Sequence, residues 1–143
     1  MVLAQYYNFI RLGFEGYRAI MEASMENARY LARLGEESEK VRMLVRADKL
    51  FMPVLTFESN NPNVMTVFQA SEHLRKFGWI VPAYTLPPNA EDVAVLRVVV
   101  KENFSRDMAE MLVDHMREAY AEFHGRKPVV HKGKKGTTQR VPC

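Results

Sequence analysis

Val93-Ala94-Val95-Leu96-Arg97-Val98-Val99-Val100 holds five valines in eight residues. β-Branched side chains pack well on a pleated surface, and a run that is apolar on both alternations fits a strand covered on each side better than an edge. The stretch therefore predicts a central strand. Arg97 interrupts it, and the two-residue period places Arg97 on the side of Val93, Val95 and Val99. Burying a guanidinium without a counter-charge is costly, so its head must reach solvent or meet an anion. A paired structural arginine and a charge on a strand edge satisfy that demand. So does a carboxylate clamp, because the planar fork offers two parallel donors to a carboxylate's two oxygens. One arginine does not choose among them.

Outward from this strand the chain alternates between two periods. Upstream, Trp79 to Tyr84 reads as another strand, joined to it through the stiff Thr85 to Asn89 loop with Pro87-Pro88. Before that, Asn61 as N-cap and Pro62 at the first helical position predict a helix with Val64, Val67, Phe68 and Leu74 inward, and Gly78 as its left-handed terminus. Val41 to Val45 and Phe51 to Phe57 predict a hairpin across Arg46-Ala47-Asp48-Lys49, where Pro53 suggests an edge strand or a bulge. Downstream, Ser105 caps a last helix, with Asp107 and Glu110 near its positive end and Met108, Leu112, Ala119 and Phe123 inward. From Val2 to about Leu34, Leu3, Tyr7, Ile10, Phe14, Tyr17, Met21, Ala28 and Leu31 recur at helical spacing, giving one long helix or two joined near Gly13 and Gly16. That helix carries more apolar face than the remaining residues obviously cover, which points to a partner surface. The expected fold is α+β: a long N-terminal helix, then a small, mainly antiparallel sheet with helices on one face. Its expected divisions are a helix over 1–35, an α+β unit over 36–123 and a basic disordered tail over 124–143.

A chain of 143 residues, 48% hydrophobic and 26% charged, is one ordinary globular domain and not a disordered, collagenous or disulfide-stapled one. The net charge of +3 is uneven: residues 1–123 carry 14 Lys and Arg against 17 Asp and Glu, while 124–143 carry six basic residues and no acid. Electrostatic contact of this tail with RNA, an acidic protein or an anionic membrane stands beside its reading as a solubilising terminus. The solubilising role is preferred, with neither nucleic acid nor membrane expected as a partner. No apolar run is long enough to span a bilayer and no signal-peptide pattern opens the chain, so a cytoplasmic protein is expected. The one cysteine, Cys143, agrees with a reducing compartment.

Motifs for chemistry are few. The sequence has no Gly-rich phosphate loop, CxxC, HExxH or GxSxG. No metal site is expected, and His73, His115, His124 and His131 read as dispersed surface residues. Met21, Met108 and Met111 lie on or beside expected core stripes, so packing accounts for them.

Three segments carry a resemblance. Ala4-Gln5-Tyr6-Tyr7-Asn8-Phe9-Ile10-Arg11-Leu12-Gly13-Phe14-Glu15-Gly16-Tyr17 resembles the helix that links the large and small domains of glutamate decarboxylases, in the pyridoxal-phosphate fold-type I superfamily. Phe77-Gly78-Trp79-Ile80-Val81-Pro82-Ala83-Tyr84-Thr85, and Val95-Leu96-Arg97-Val98-Val99-Val100 followed by Phe104-Ser105-Arg106, are similar to the small-domain core of the same enzymes, above all their plant forms. The resemblance covers about residues 2–123 and implies the C-terminal portion of an enzyme converting L-glutamate to 4-aminobutanoate and carbon dioxide. It implies pyridoxal 5'-phosphate as cofactor, a homo-oligomer at full length, and Arg97 as the residue that holds a substrate carboxylate. It supplies no catalytic or cofactor-binding residue, because no lysine of this sequence stands in the family's His-Lys cofactor motif. The isolated chain is thus expected to be inactive, and a non-catalytic carboxylate-binding or subunit-pairing module is the alternative. Plant members commonly end in a Trp-anchored calmodulin-binding helix. This chain departs from that pattern, since its only tryptophan is Trp79 and Pro128, Gly133 and Gly136 break up its basic tail.

Overall fold

The computed structural model describes residues 2–124. Helix α1 (Val2–Glu37) leads into strand β1 (Val41–Met43), a 3₁₀ turn (Ala47–Lys49) and β2 (Val54–Ser59). Helix α2 (Val67–Lys76), β3 (Ala83–Thr85), β4 (Ala94–Val99) and α3 (Arg106–His124) follow. The strands form one antiparallel sheet in the order β1-β2-β4-β3, so the valine-rich segment is interior, as its composition demands. Leu55, Phe57, Leu96 and Val98 project from one side of this sheet into a single core with the apolar stripes of all three helices. This is the α+β arrangement the sequence predicts.

Three local expectations are corrected. Pro53 marks neither an edge nor a bulge: it stands just before β2, an interior strand, and its carbonyl accepts from the Val100 N–H at 2.9 Å. A proline needs no ladder donor there, so only its acceptor is used. Helix α2 begins at Thr66, not Asn61. The Gln69 N–H donates to Thr66 Oγ1 at 3.3 Å and the Thr66 N–H donates to Gln69 Oε1 at 2.8 Å, a reciprocal capping box that Asn61 lacks. Asn61 instead closes a turn, its carbonyl accepting from Val64 and Met65. The strand expected over 79–84 shortens to Ala83–Thr85, because Trp79 is drawn back onto α2. There the Gly78 N–H reaches the Arg75 carbonyl and the Trp79 N–H the Leu74 carbonyl, the two bonds of a Schellman ending with Gly78 at φ 83°.

Two histidines and two methionines also depart from expectation, while His124 is exposed and Met108 packs against the core as expected. His73 is buried, its Nδ1 2.8 Å from Glu122 Oε2 in a contact set by proximity and not by hydrogen-bond alignment. His115 is half-buried, stacked on Phe77 with ring centroids 3.9 Å apart and accepting the Trp79 indole N–H at 2.9 Å. Both close the seam between α2 and α3, which neither residue's sequence neighbours reveal. Met21 and Met111 are exposed, whereas Met65 and Met116 are buried.

Helix α1 is two helices across a bend. Gly13 has φ 59° and ψ −170°, a conformation essentially confined to glycine. Beyond the bend, Ser24, Ala28, Leu31, Ala32 and Gly35 enter the core. Asn27 Nδ2 donates to the Phe104 carbonyl at 2.7 Å, Tyr30 Oη donates to Glu110 Oε1 at 2.5 Å, and Glu26 pairs with Arg106, tying this half to α3. Before the bend, Leu3, Tyr7, Ile10 and Phe14 are exposed. No described helix is long and apolar enough to cross a membrane. Of the tail expected to be disordered over 124–143, His124 ends α3, and residues 125–143, with their bearing on calmodulin, lie outside the described residues.

Candidate functional site

Because β2 and β4 are antiparallel, residues in register share a face. Thr56 stands opposite Arg97, and Val54 opposite Val99. Across the other neighbour, Tyr84 stands opposite Val95. Thr56, Tyr84, Val95, Arg97 and Val99 thus lie on the side of the sheet turned away from the helices. Arg97 is exposed there, and so is Val99.

The main chain of Arg97 is fixed on both flanks. Its N–H donates to the Pro82 carbonyl at 3.0 Å, just ahead of β3, and β2 pairs with it on the other side. Its head is not neutralised: Arg97 makes no ion pair with any described residue. The guanidinium instead lies over the Tyr84 ring, with Cζ 5.5 Å from the centroid. The carboxylate best placed to reach it is Glu58, two residues beyond Thr56 on the same face of β2. Arg42 occupies that carboxylate, its Nε donating to Glu58 Oε2 at 2.7 Å and its Nη2 to the same oxygen. Register makes Arg42 and Glu58 direct cross-strand partners, so the pair is a product of sheet pairing. The result is a guanidinium on an interior strand that pairs with no acid among the described residues, with a neighbouring acid already engaged. Such a group can take a carboxylate or another oxyanion from the side facing away from the helices.

The described lysines do not supply a cofactor site beside it. Lys40, Lys49, Lys76 and Lys101 all stand off the strands. Lys40 lies over the Tyr120 ring at 4.9 Å, and Lys76 is 3.5 Å from Glu122 Oε2. A cofactor needing a Schiff-base lysine near Arg97 therefore does not fit these residues alone. Nor does any group of three or more His, Cys, Asp and Glu among the described residues stand close enough to hold a metal ion. A cavity of about 290 Å³ opens at the end of the sheet, lined by Arg42, Glu58, Thr66, Phe68 and Asp92. It takes in the Arg42–Glu58 pair and not Arg97.

Of the charged residues and histidines weighed in the sequence as site candidates, Arg97 reaches this face. Tyr84 and Arg42 were missed as its companions. Their relation to Arg97 depends on register across three strands, which no local pattern encodes.

No family model matches the chain. Among curated proteins, glutamate decarboxylase 5 of Arabidopsis thaliana is 48% identical over 124 residues, covering 87% of this chain and 25% of that protein. The glutamate decarboxylase of Solanum lycopersicum is 44% identical over 131 residues, covering 89% of this chain and 25% of its own length. Among solved structures, the glutamate decarboxylase of Lactobacillus brevis CGMCC 1306 superposes with a TM-score of 0.79 at 33% identity, over 89% of this chain and 29% of that one. The chain thus spans about a quarter of the length of the curated relatives it matches.

Proposed function

From the homology of this chain with glutamate decarboxylases over most of its length, we propose that it is their C-terminal portion, presenting Arg97 to a carboxylate of the substrate. The activity so assigned is decarboxylation of L-glutamate to 4-aminobutanoate and carbon dioxide, carried out by an assembly that includes a cofactor-bearing portion outside this chain. Pyridoxal phosphate would be held by that portion, and its electron-sink chemistry belongs there. A cytoplasmic homo-oligomer is part of the same reading.

The observation that carries the proposal is the exposed guanidinium of Arg97 on an interior strand, without an ion pair among the described residues. Its task is binding and orientation. The fork would grip two carboxylate oxygens and fix the acid's attitude against the reacting centre. Strand β4 suits this work because β2 on one side, and Pro82 with β3 on the other, restrict its backbone. The same geometry also serves the alternative, a non-catalytic module binding carboxylates, if no cofactor-bearing portion is joined to it.

The test is a chimera in which residues 2–124 replace the matching quarter of the Arabidopsis relative. It should release carbon dioxide from L-glutamate, and Arg97→Ala should lower kcat/KM by about 2–4 kcal/mol of transition-state binding. Unchanged kcat/KM in a folded Arg97→Ala chimera would remove Arg97 from the site. The 143-residue chain alone, given pyridoxal phosphate, should neither form a stoichiometric visible Schiff-base band nor consume glutamate. Turnover by that chain would favour a self-sufficient site.

A further inference from the structure

We propose that Tyr84 is a positioning residue: its ring face sets the direction of the Arg97 fork, so that the guanidinium meets a carboxylate in one orientation. The inference deepens the carboxylate-binding role proposed for Arg97 and rests on that reading.

Sheet geometry supplies the argument. Tyr84 pairs with Val95, so relative to Arg97 it is a diagonal neighbour two residues along the adjacent strand. Diagonal neighbours stand about 7–8 Å apart, a gap that only long or aromatic side chains bridge. The guanidinium carbon lies 5.5 Å from the Tyr84 centroid, within the range of cation–π attraction. The position directly across is Pro82, whose carbonyl takes the Arg97 N–H at 3.0 Å and whose compact ring leaves the space to Tyr84. On the opposite flank stands Thr56, too short to restrain the far end of an arginine.

An unsupported arginine has four rotatable side-chain bonds and samples many directions. Contact with one ring face removes most of them before an anion arrives, lowering the ordering cost of binding. A contact made through the ring face also leaves the N–H donors turned away from the ring open to a bidentate partner. Tyr84 is half-buried at the edge of the sheet and is not drawn away by a hydrogen bond of its hydroxyl to any described residue. It contributes through its ring, so Tyr84→Phe should preserve the effect and Tyr84→Leu should abolish it.

Two measurements test the assignment. In the 143-residue chain, NMR should show the Arg97 side-chain protons shifted upfield by the aromatic ring. Tyr84→Leu should return them to ordinary values, and Tyr84→Phe should keep the shift. In the chimera, Tyr84→Leu should raise KM for L-glutamate about tenfold with kcat nearly unchanged, and Tyr84→Phe should restore the native KM. A costly Arg97→Ala together with a silent Tyr84→Leu would overturn the positioning role and leave the arginine's own role intact. A silent Arg97→Ala would overturn both. Equal loss in Tyr84→Phe and Tyr84→Leu would assign the effect to the hydroxyl and overturn stacking. If the chimera does not fold, the isolated chain still decides: unshifted Arg97 protons show that the contact is not formed.

Discussion

Tyr30 shows how a single half-buried phenol can couple two helices to pH. Its hydroxyl donates to the Glu110 carboxylate, and this hydrogen bond is the main cause that raises its pKa above the ordinary tyrosine value of 10.0. Burial and the negative charges of Glu110 and Glu37 push the same way, while the Arg106 guanidinium over the ring opposes them. A raised pKa means that the folded chain holds this proton more tightly than the unfolded chain. Its stabilising contribution is therefore complete below the unfolded value near 10 and is lost as pH rises through the folded one. Thermal unfolding followed at pH 9 and again at about pH 11 should show a larger fall for the native chain than for Tyr30→Phe. An equal fall in both would mean that the bond contributes nothing to holding α1 against α3.

At the scale of elements, the boundaries are set by caps, and α2 provides the sharpest case. Two candidate starts compete, Asn61-Pro62 and Thr66, and both have the right residue types. Only Thr66 has Gln69 three residues on to return its hydrogen bond. Thr66→Ala should destabilise the chain by about 0.5–2 kcal/mol in urea unfolding, the range for losing an N-cap. Asn61→Ala should cost less, because the bonds accepted at Asn61 from Val64 and Met65 go to its main-chain carbonyl, which survives the substitution. A larger loss for Asn61→Ala than for Thr66→Ala would place the start of the helix at the earlier residue. Helix α1 illustrates a second control. Gly35 comes so close to β2 that a Cβ there would lie 2.8 Å from Phe57 Cε1, so the contact of helix with sheet is written in a missing methyl group.

At the scale of the whole molecule, the two halves of α1 have opposite roles. The half after Gly13 is part of the core, and the half before it lays Leu3, Tyr6, Tyr7, Ile10 and Phe14 open to water. Contiguous apolar surface of this kind marks an interaction face. Phe51 and Met52, just ahead of β2, and Val99 of β4 are also uncovered. The curated relatives that match this chain are about four times as long. Deleting residues 1–12 from the isolated chain should leave its unfolding free energy unchanged to within about 0.5 kcal/mol and reduce binding of an apolar dye. Cooperative unfolding lost on that deletion would show that the first half also supports the core.

Much of the architecture is legible in the residues. The period of the apolar positions, the valines of β4, Ser105 capping α3 and Gly78 ending α2 are local signals, and each acts on the few residues beside it. They settled the order of elements and the α+β class, because φ, ψ and side-chain spacing are decided over one or two turns or a few strand residues. The position of Arg97 in a strand belongs with them, and so does the bend allowed by Gly13. What surrounds Arg97 belongs to the tertiary structure: register brings Tyr84 beside it, and pairing of β1 with β2 lets Arg42 engage Glu58. The burial of His73 between α2 and α3, and the interior place of the strand after Pro53, have the same origin. These contacts join residues far apart in the chain, and their free energy depends on which surfaces meet, information that no single segment contains.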